Sequence, residues 1–186
     1  MKRLLLPLLL LIAVPLFASD VETTPAPPAP IATSSSGHTQ LFQVVLVRGA
    51  TSGAEELVGI PKNAEKAIRD IHDFLPFKSY KLLDSGLLRI DDSGKIRLDG
   101  VPPQQYDIDV AWRPVSANKL TIWNFQVVPV RIPGGVPLGK GIAPQADRPV
   151  IDTSFTIDVG ETIVVGSSKL GGDVALVVLF TALPNR

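Results

Sequence analysis

The chain has 186 residues, 45% of them apolar, with 18 basic and 18 acidic side chains and no cysteine. The lack of cysteine excludes disulfides, thiol nucleophiles and thiolate metal sites, and nothing in the balanced charge suggests a nucleic-acid binder, which would show a basic face. Small exported domains often lean on disulfides; here an apolar core has to suffice, and residues 41–186 are enough to form one.

Met1-Lys2-Arg3 is basic, residues 4–17 are almost wholly apolar, and Ala18-Ser19-Asp20 is small and polar. This is the layout of a secretory signal peptide, residues 1–18, cut after Ala18. A membrane-spanning helix needs about 20 apolar residues. This run is shorter and carries Pro7 and Pro15, so no transmembrane span is expected in the mature chain, with retention as an uncleaved anchor the alternative. No cysteine is present for a lipid at the cut. Loss of Lys2 and Arg3 leaves 16 basic against 18 acidic side chains, a net charge of −2. The expected location is the periplasm or the medium.

Residues 19–40 include Thr23-Thr24-Pro25-Ala26-Pro27-Pro28-Ala29-Pro30, then Thr33-Ser34-Ser35-Ser36-Gly37. The first stretch favours extended polyproline-like backbone, the second is more flexible, and neither can bury apolar area. The segment is expected to be a disordered tether, a spacer or a remnant without a role, ahead of a single domain over residues 41–186.

Residues 41–48 alternate and predict a strand, followed by a glycine-bearing loop over 49–59. Residues 61–75 predict the one helix. Ala64, Ala67, Ile68, Ile71, Phe74 and Leu75 share a face, Glu65–Arg69 and Lys66–Asp70 are spaced as ion pairs, and Pro76 ends it. Strands are expected over 79–90, with a bulge or break at Asp84-Ser85-Gly86, and over 95–98, 105–112 and 120–130. Residues 132–149 carry four glycines and four prolines, which predicts a long loop, functional or mobile. Strands at 155–159 and 162–166 precede a second loop, 167–173. Residues 174–183 are a nearly continuous apolar run, expected to be a central strand buried on both faces. No solenoid-type repeat is present.

The chemistry-bearing residues form no convincing constellation. His38 lies in the tether and His72 on the helix, without the close ligand spacing of a metal site. Ser85 and Ser93 sit in Asp-Ser-Gly sequences typical of turns, and only His72 is available as their base. Ser167-Ser168-Lys169 is one residue short of the Ser-x-x-Lys spacing. Gly166 with Gly171-Gly172 lacks the Lys-Ser/Thr end of a phosphate loop. Asp91, Asp92, Asp107 and Asp109 lack the order of a calcium loop. Trp112, Trp123, Tyr80 and Tyr106 fit core packing better than a sugar platform.

Two stretches resemble secretins. Residues 156–184 contain Thr-Ile-Asp-Val-Gly-Glu-Thr-Ile-Val-Val-Gly and then Ala-Leu-Val-Val-Leu-Phe-Thr-Ala. They are similar to the secretin pattern of a Gly-Glu/Gln-Thr turn before an apolar strand and a terminal apolar strand. Residues 41–90 have the strand–helix–strand order of the periplasmic ring-building modules of secretins. Secretins carry Gly-Gly where this chain has Gly166-Ser167, and their long barrel strands and gate segment have no counterpart here. The core at residues 75–89, Leu-Pro-Phe-Lys-Ser-Tyr-Lys-Leu-Leu-Asp-Ser-Gly-Leu-Leu-Arg, also resembles uncharacterised exported bacterial proteins. Neither resemblance implies a catalytic residue.

The expected fold is α+β: one amphipathic helix on a mainly antiparallel sheet, curled into a β-sandwich or partial barrel. The expected function is a non-enzymatic structural or protein-interaction module of the cell envelope, without cofactor or metal. Protein partners are expected in a secretion- or pilus-type assembly, with a homo-oligomer left open. The candidate contact residues are Gly134, Gly135, Leu138 and Lys140 in the first loop and Ser168, Lys169 and Leu170 in the second. The alternative is a ligand- or glycan-binding domain using Trp112 or Trp123.

Overall fold

The computed structural model describes residues 39–130 and 148–185. The predicted signal peptide, nearly all of the tether, and Gly134, Gly135, Leu138 and Lys140 lie outside them. In chain order the elements are β1 (Gln40–Ala50), β2 (Glu56–Val58), α1 (Lys62–Asp70), a 3₁₀ turn (His72–Phe74), β3 (Ser79–Ile90), β4 (Ser93–Asp99), β5 (Gln105–Ser116), β6 (Lys119–Val130), β7 (Ile151–Asp158), β8 (Thr162–Gly171) and β9 (Val174–Leu183).

The strands form two sheets, one ordered β2-β3-β1-β9-β8 and one ordered β4-β5-β6-β7. All pairings are antiparallel except β2 with β3. The protein is α+β, a sandwich with a helix on one outer face. Alternation along the strands explains the layering. Phe42, Val44 and Leu46 of β1 and Leu176, Val178 and Phe180 of β9 point into the core between the sheets. Val45 and Val47, with Ala175, Val177 and Leu179, point the other way and meet Ala64, Ala67 and Ile68 of α1. The apolar run of β9 is therefore a central strand buried on both faces, as its composition predicts. The inter-sheet core is aromatic: Phe42 stacks on Phe180 at 5.0 Å between centroids, and Phe125 meets Phe180 edge-on at 5.3 Å.

The helix is shorter than its pattern predicts. At Ile71 the backbone turns to φ −117° and ψ 9°, and the chain continues as the 3₁₀ turn. Phe74, expected on the buried face, is 86% exposed. Pro61 precedes the helix without a side-chain cap, and both outer ion pairs form, Lys66–Asp70 at 2.7 Å and Arg69–Glu65 at 3.6 Å. The loop predicted over 49–59 contains the short edge strand β2, too brief to show an alternating pattern. The expected irregularity in β3 is a bulge at Leu83, where Leu46 faces Asp84 but Val47 faces Leu82. Gly86 stays within the strand, and a Cβ there would collide with Ile96 and Leu98 of β4. β3 and β4 belong to different sheets, joined at Asp91-Asp92, and this glycine lets the two layers close.

The loop predicted over 167–173 contracts to a two-residue turn, Gly172-Asp173, because Ser167, Ser168 and Lys169 continue β8 opposite Val177, Leu176 and Ala175. The polar composition reflects an edge strand half open to solvent, not a loop.

Candidate functional site

The Gly-Glu-Thr turn at the β7–β8 junction carries the chain from one sheet to the other. Gly160 adopts φ +91°, a conformation that suits glycine. Glu161 accepts the Asp158 backbone N–H on its carboxylate at 2.9 Å and closes the turn. Thr162 lies beside buried Thr181, hydroxyl to hydroxyl at 2.8 Å. Thr181 in turn faces Gln43 in register. This polar row crosses β1, β9 and β8 under the start of α1, where Asn63 Nδ2 reaches Gln43 Oε1 at 3.0 Å and Thr181 Oγ1 at 3.2 Å. The motif thus performs a structural task here: it turns the chain and pins the helix to the sheet.

Of the described contact candidates, Ser168 is half-buried, while Lys169 and Leu170 are exposed on the outer end of β8. Leu170 is the extra residue of a bulge between Lys169 and Gly171. Lys169 rims a hollow of about 270 Å³ shared with Thr51, Phe77, Ser167 and Asp173.

Of the four aspartates weighed as calcium ligands, Asp107 and Asp109 lie half-buried on β5, opposite Arg97 and Lys95 of β4. Arg97 grips Asp107 with two hydrogen bonds of 2.7 and 3.0 Å, and Lys95 lies 3.2 Å from Asp109. The hydrogen bonds from Arg97 hold the Asp107 carboxyl below the usual carboxylate range, with the Arg97 and Lys95 charges adding to the effect against partial burial. Among the described residues, no group of three or more His, Asp or Glu side chains is placed to hold a metal ion.

His72 sits 3.5 Å from Glu55 and 3.6 Å from Asp73. Ser85 lies opposite Val45 in β3 and Ser93 opens β4 opposite Ala111. Ser85 is five residues along β3 from Tyr80, which borders the same groove as His72, a separation on the order of 15 Å. The structure does not join His72 to either serine.

The tryptophans divide. Trp112 is 4% exposed and packs edge-on against Phe42 at 5.8 Å, whereas Trp123 is 56% exposed. Trp123 is the bulged residue of β6: Ala111 faces Asn124 while Trp112 faces Ile122. With Trp112 in the core, a platform of two indoles is not built.

A groove of about 650 Å³ runs between α1 with its 3₁₀ turn and the β2–β3 edge. Ile68 and Leu57 supply apolar surface, and Glu56, Lys78 and Tyr80 border it from the strands. Sequence reasoning missed it, because its strand wall is the three-residue β2. The buried Tyr80 hydroxyl has no hydrogen-bond partner among the described residues.

No family model and no curated protein matches the chain. Among solved structures, it is similar to the Salmonella SPI-1 type III secretion injectisome secretin InvG (residues 176-end) in the open gate state. That match has 10% identity and a TM-score of 0.33, covering 80% of this chain and 59% of the secretin chain. Among the described residues, no helix is long and apolar enough to cross a membrane, which says nothing of strands.

Proposed function

We propose that this protein is an exported, non-enzymatic interaction module of the cell envelope, working through protein contacts in a secretion- or pilus-type assembly. The observation that carries the reading is the outer face of the four-stranded sheet. It has no covering layer among the described residues, and β6 holds Trp123 there at 56% exposure. Strand alternation after buried Leu120 and Ile122 turns Trp123 outward, and tryptophan is among the residue types enriched where binding energy concentrates. The basic-apolar-small layout of residues 1–18 supports export.

The test is the native mass of the protein purified from the envelope fraction, by light scattering after size exclusion, beside Trp123→Ala. A discrete species larger than the monomer that the variant dissociates supports the module. A monomer in both preparations overturns it.

A further inference from the structure

Building on the reading of the outer face of the four-stranded sheet as a contact surface, we propose that its occupant is a second copy of this chain, packed face to face about a twofold axis that runs along the strands. The register fixes where the charges of this face stand. Lys95 of β4 faces Asp109 of β5, Asp109 faces Gln126 of β6, and Gln126 faces Asp152 of β7. Directly opposed residues share a face of a sheet. These four therefore form one row across the outer face, basic at the β4 edge and acidic at the β7 edge. Lys95 lies 3.2 Å from Asp109, but its side chain is 54% exposed, and an ammonium has three protons to donate. Asp152 is exposed and has no ion pair among the described residues.

A twofold axis between β5 and β6, parallel to them, lays β4 of one copy over β7 of the other and keeps each row level with itself. Lys95 then stands opposite the partner's Asp152, and Asp152 opposite the partner's Lys95. An axis across the strands would lay β4 on β4 and set Lys95 and Arg97 against their own copies, a juxtaposition that like charges oppose. The charges thus select the first arrangement, which is also the aligned packing that paired sheets adopt. Trp123, on the inner strand β6 and 56% exposed, lies beside that axis, and aromatic anchors concentrate near the centre of an interface. The four strands are 7 to 12 residues long, which makes the face about 19 Å wide and about 23–40 Å long. That is comparable with the about 800 Å² each partner contributes to a standard interface.

The test is sedimentation velocity of the purified protein, wild type beside Lys95→Asp and Asp152→Lys, each variant alone and the two mixed in equal amounts. Either variant alone sets like charges against each other at both ends of the row, whereas the mixture restores opposite signs at both. The expected result is twice the monomer mass for wild type, self-association weakened about tenfold or more in each variant alone, and a dimer regained on mixing. Both positions are exposed, and recovery on mixing shows that both variants are folded. A wild-type dimer that neither variant weakens, or variants that stay monomeric when mixed, overturns this packing. A wild-type monomer overturns it too, even where the same face binds a different envelope protein and the contact-surface reading stands.

Discussion

Trp112 and Trp123 lie on opposite faces of the four-stranded sheet, one buried and one open to solvent. Ile122 faces Trp112 across β5 and β6, while its neighbour Trp123, the extra residue of the bulge, points outward in alternation with it. The two indoles therefore report different environments. Trp123→Phe should leave a blue-shifted emission shielded from iodide, and Trp112→Phe a red-shifted emission that iodide quenches. Trp112→Ala should cost about 3–5 kcal/mol by urea unfolding, and Trp123→Ala under about 0.5 kcal/mol. Equal quenching in the two phenylalanine variants would contradict this placement.

Gly86→Val tests the closure of the two layers. A Cβ at this position meets the Ile96 and Leu98 side chains, so valine overpacks the core. The expected destabilisation is about 1–3 kcal/mol. Trimming the opposing side chain in Ile96→Ala should make Gly86→Val cheaper, a coupling that a double-mutant cycle measures.

Asn63→Ala removes the amide that ties the start of α1 to Gln43, Thr162 and Thr181. The two threonine hydroxyls still bond each other, which limits the loss to about 1–2 kcal/mol. Hydrogen exchange should accelerate in α1 before the central strands respond.

Both tyrosines of the chain have phenols pushed above their usual range by burial. The folded state therefore holds these protons more tightly than the unfolded chain. The stability they contribute is full below the ordinary phenol range of about 10 and is lost as pH rises through the folded values. Absorbance at 295 nm should show no tyrosine ionising in the ordinary range, followed by a late rise coinciding with unfolding. Titration of either tyrosine at its ordinary position with the fold intact would refute its burial.

At the acid end the sign reverses. The Asp107 carboxyl is held low by Arg97, so its contribution is present above the ordinary carboxylate range and disappears as pH falls through the lowered folded value. Arg97 is more than half exposed, which keeps the effect small through solvent screening. Asp107→Asn should flatten the acid limb of the stability curve relative to the native protein, read from urea midpoints between pH 2 and about 6.

Periodicity made the sandwich strands and the helix legible, because burial imposes it. β9 is apolar throughout since both its faces are covered, and β5 alternates because one face meets water at Asp107 and Asp109. Three features escaped for related reasons. β2 is three residues long, too short to carry a pattern. Ser167, Ser168 and Lys169 have loop-like composition because they sit on an exposed edge. Phe74 fits the helical stripe, but the backbone leaves the helix at Ile71 and carries it into solvent. The groove was not visible because it depends on bringing Glu55 and Glu56 beside Glu65 and Asp73, a tertiary arrangement no local spacing encodes. Trp123 and Trp112 both sit in apolar strand runs, and only the tertiary burial of Ile122 and Phe125 fixes which face of β6 turns inward.

The central sheet pairs Leu41 with Leu183 and Ala50 with Val174. The first and last strands of the described domain are thus neighbours, so β1 stays unpaired along one edge until β9 has been synthesised. Such long-range pairing slows folding, because the loop must close before its contacts stabilise it. While it grows, this polypeptide has no route to a finished centre, and its last ten strand residues act as the keystone. A stop codon just before β9 would strip a whole flank from β1 and expose Phe42 and Val44, giving an aggregating chain rather than a shortened sandwich.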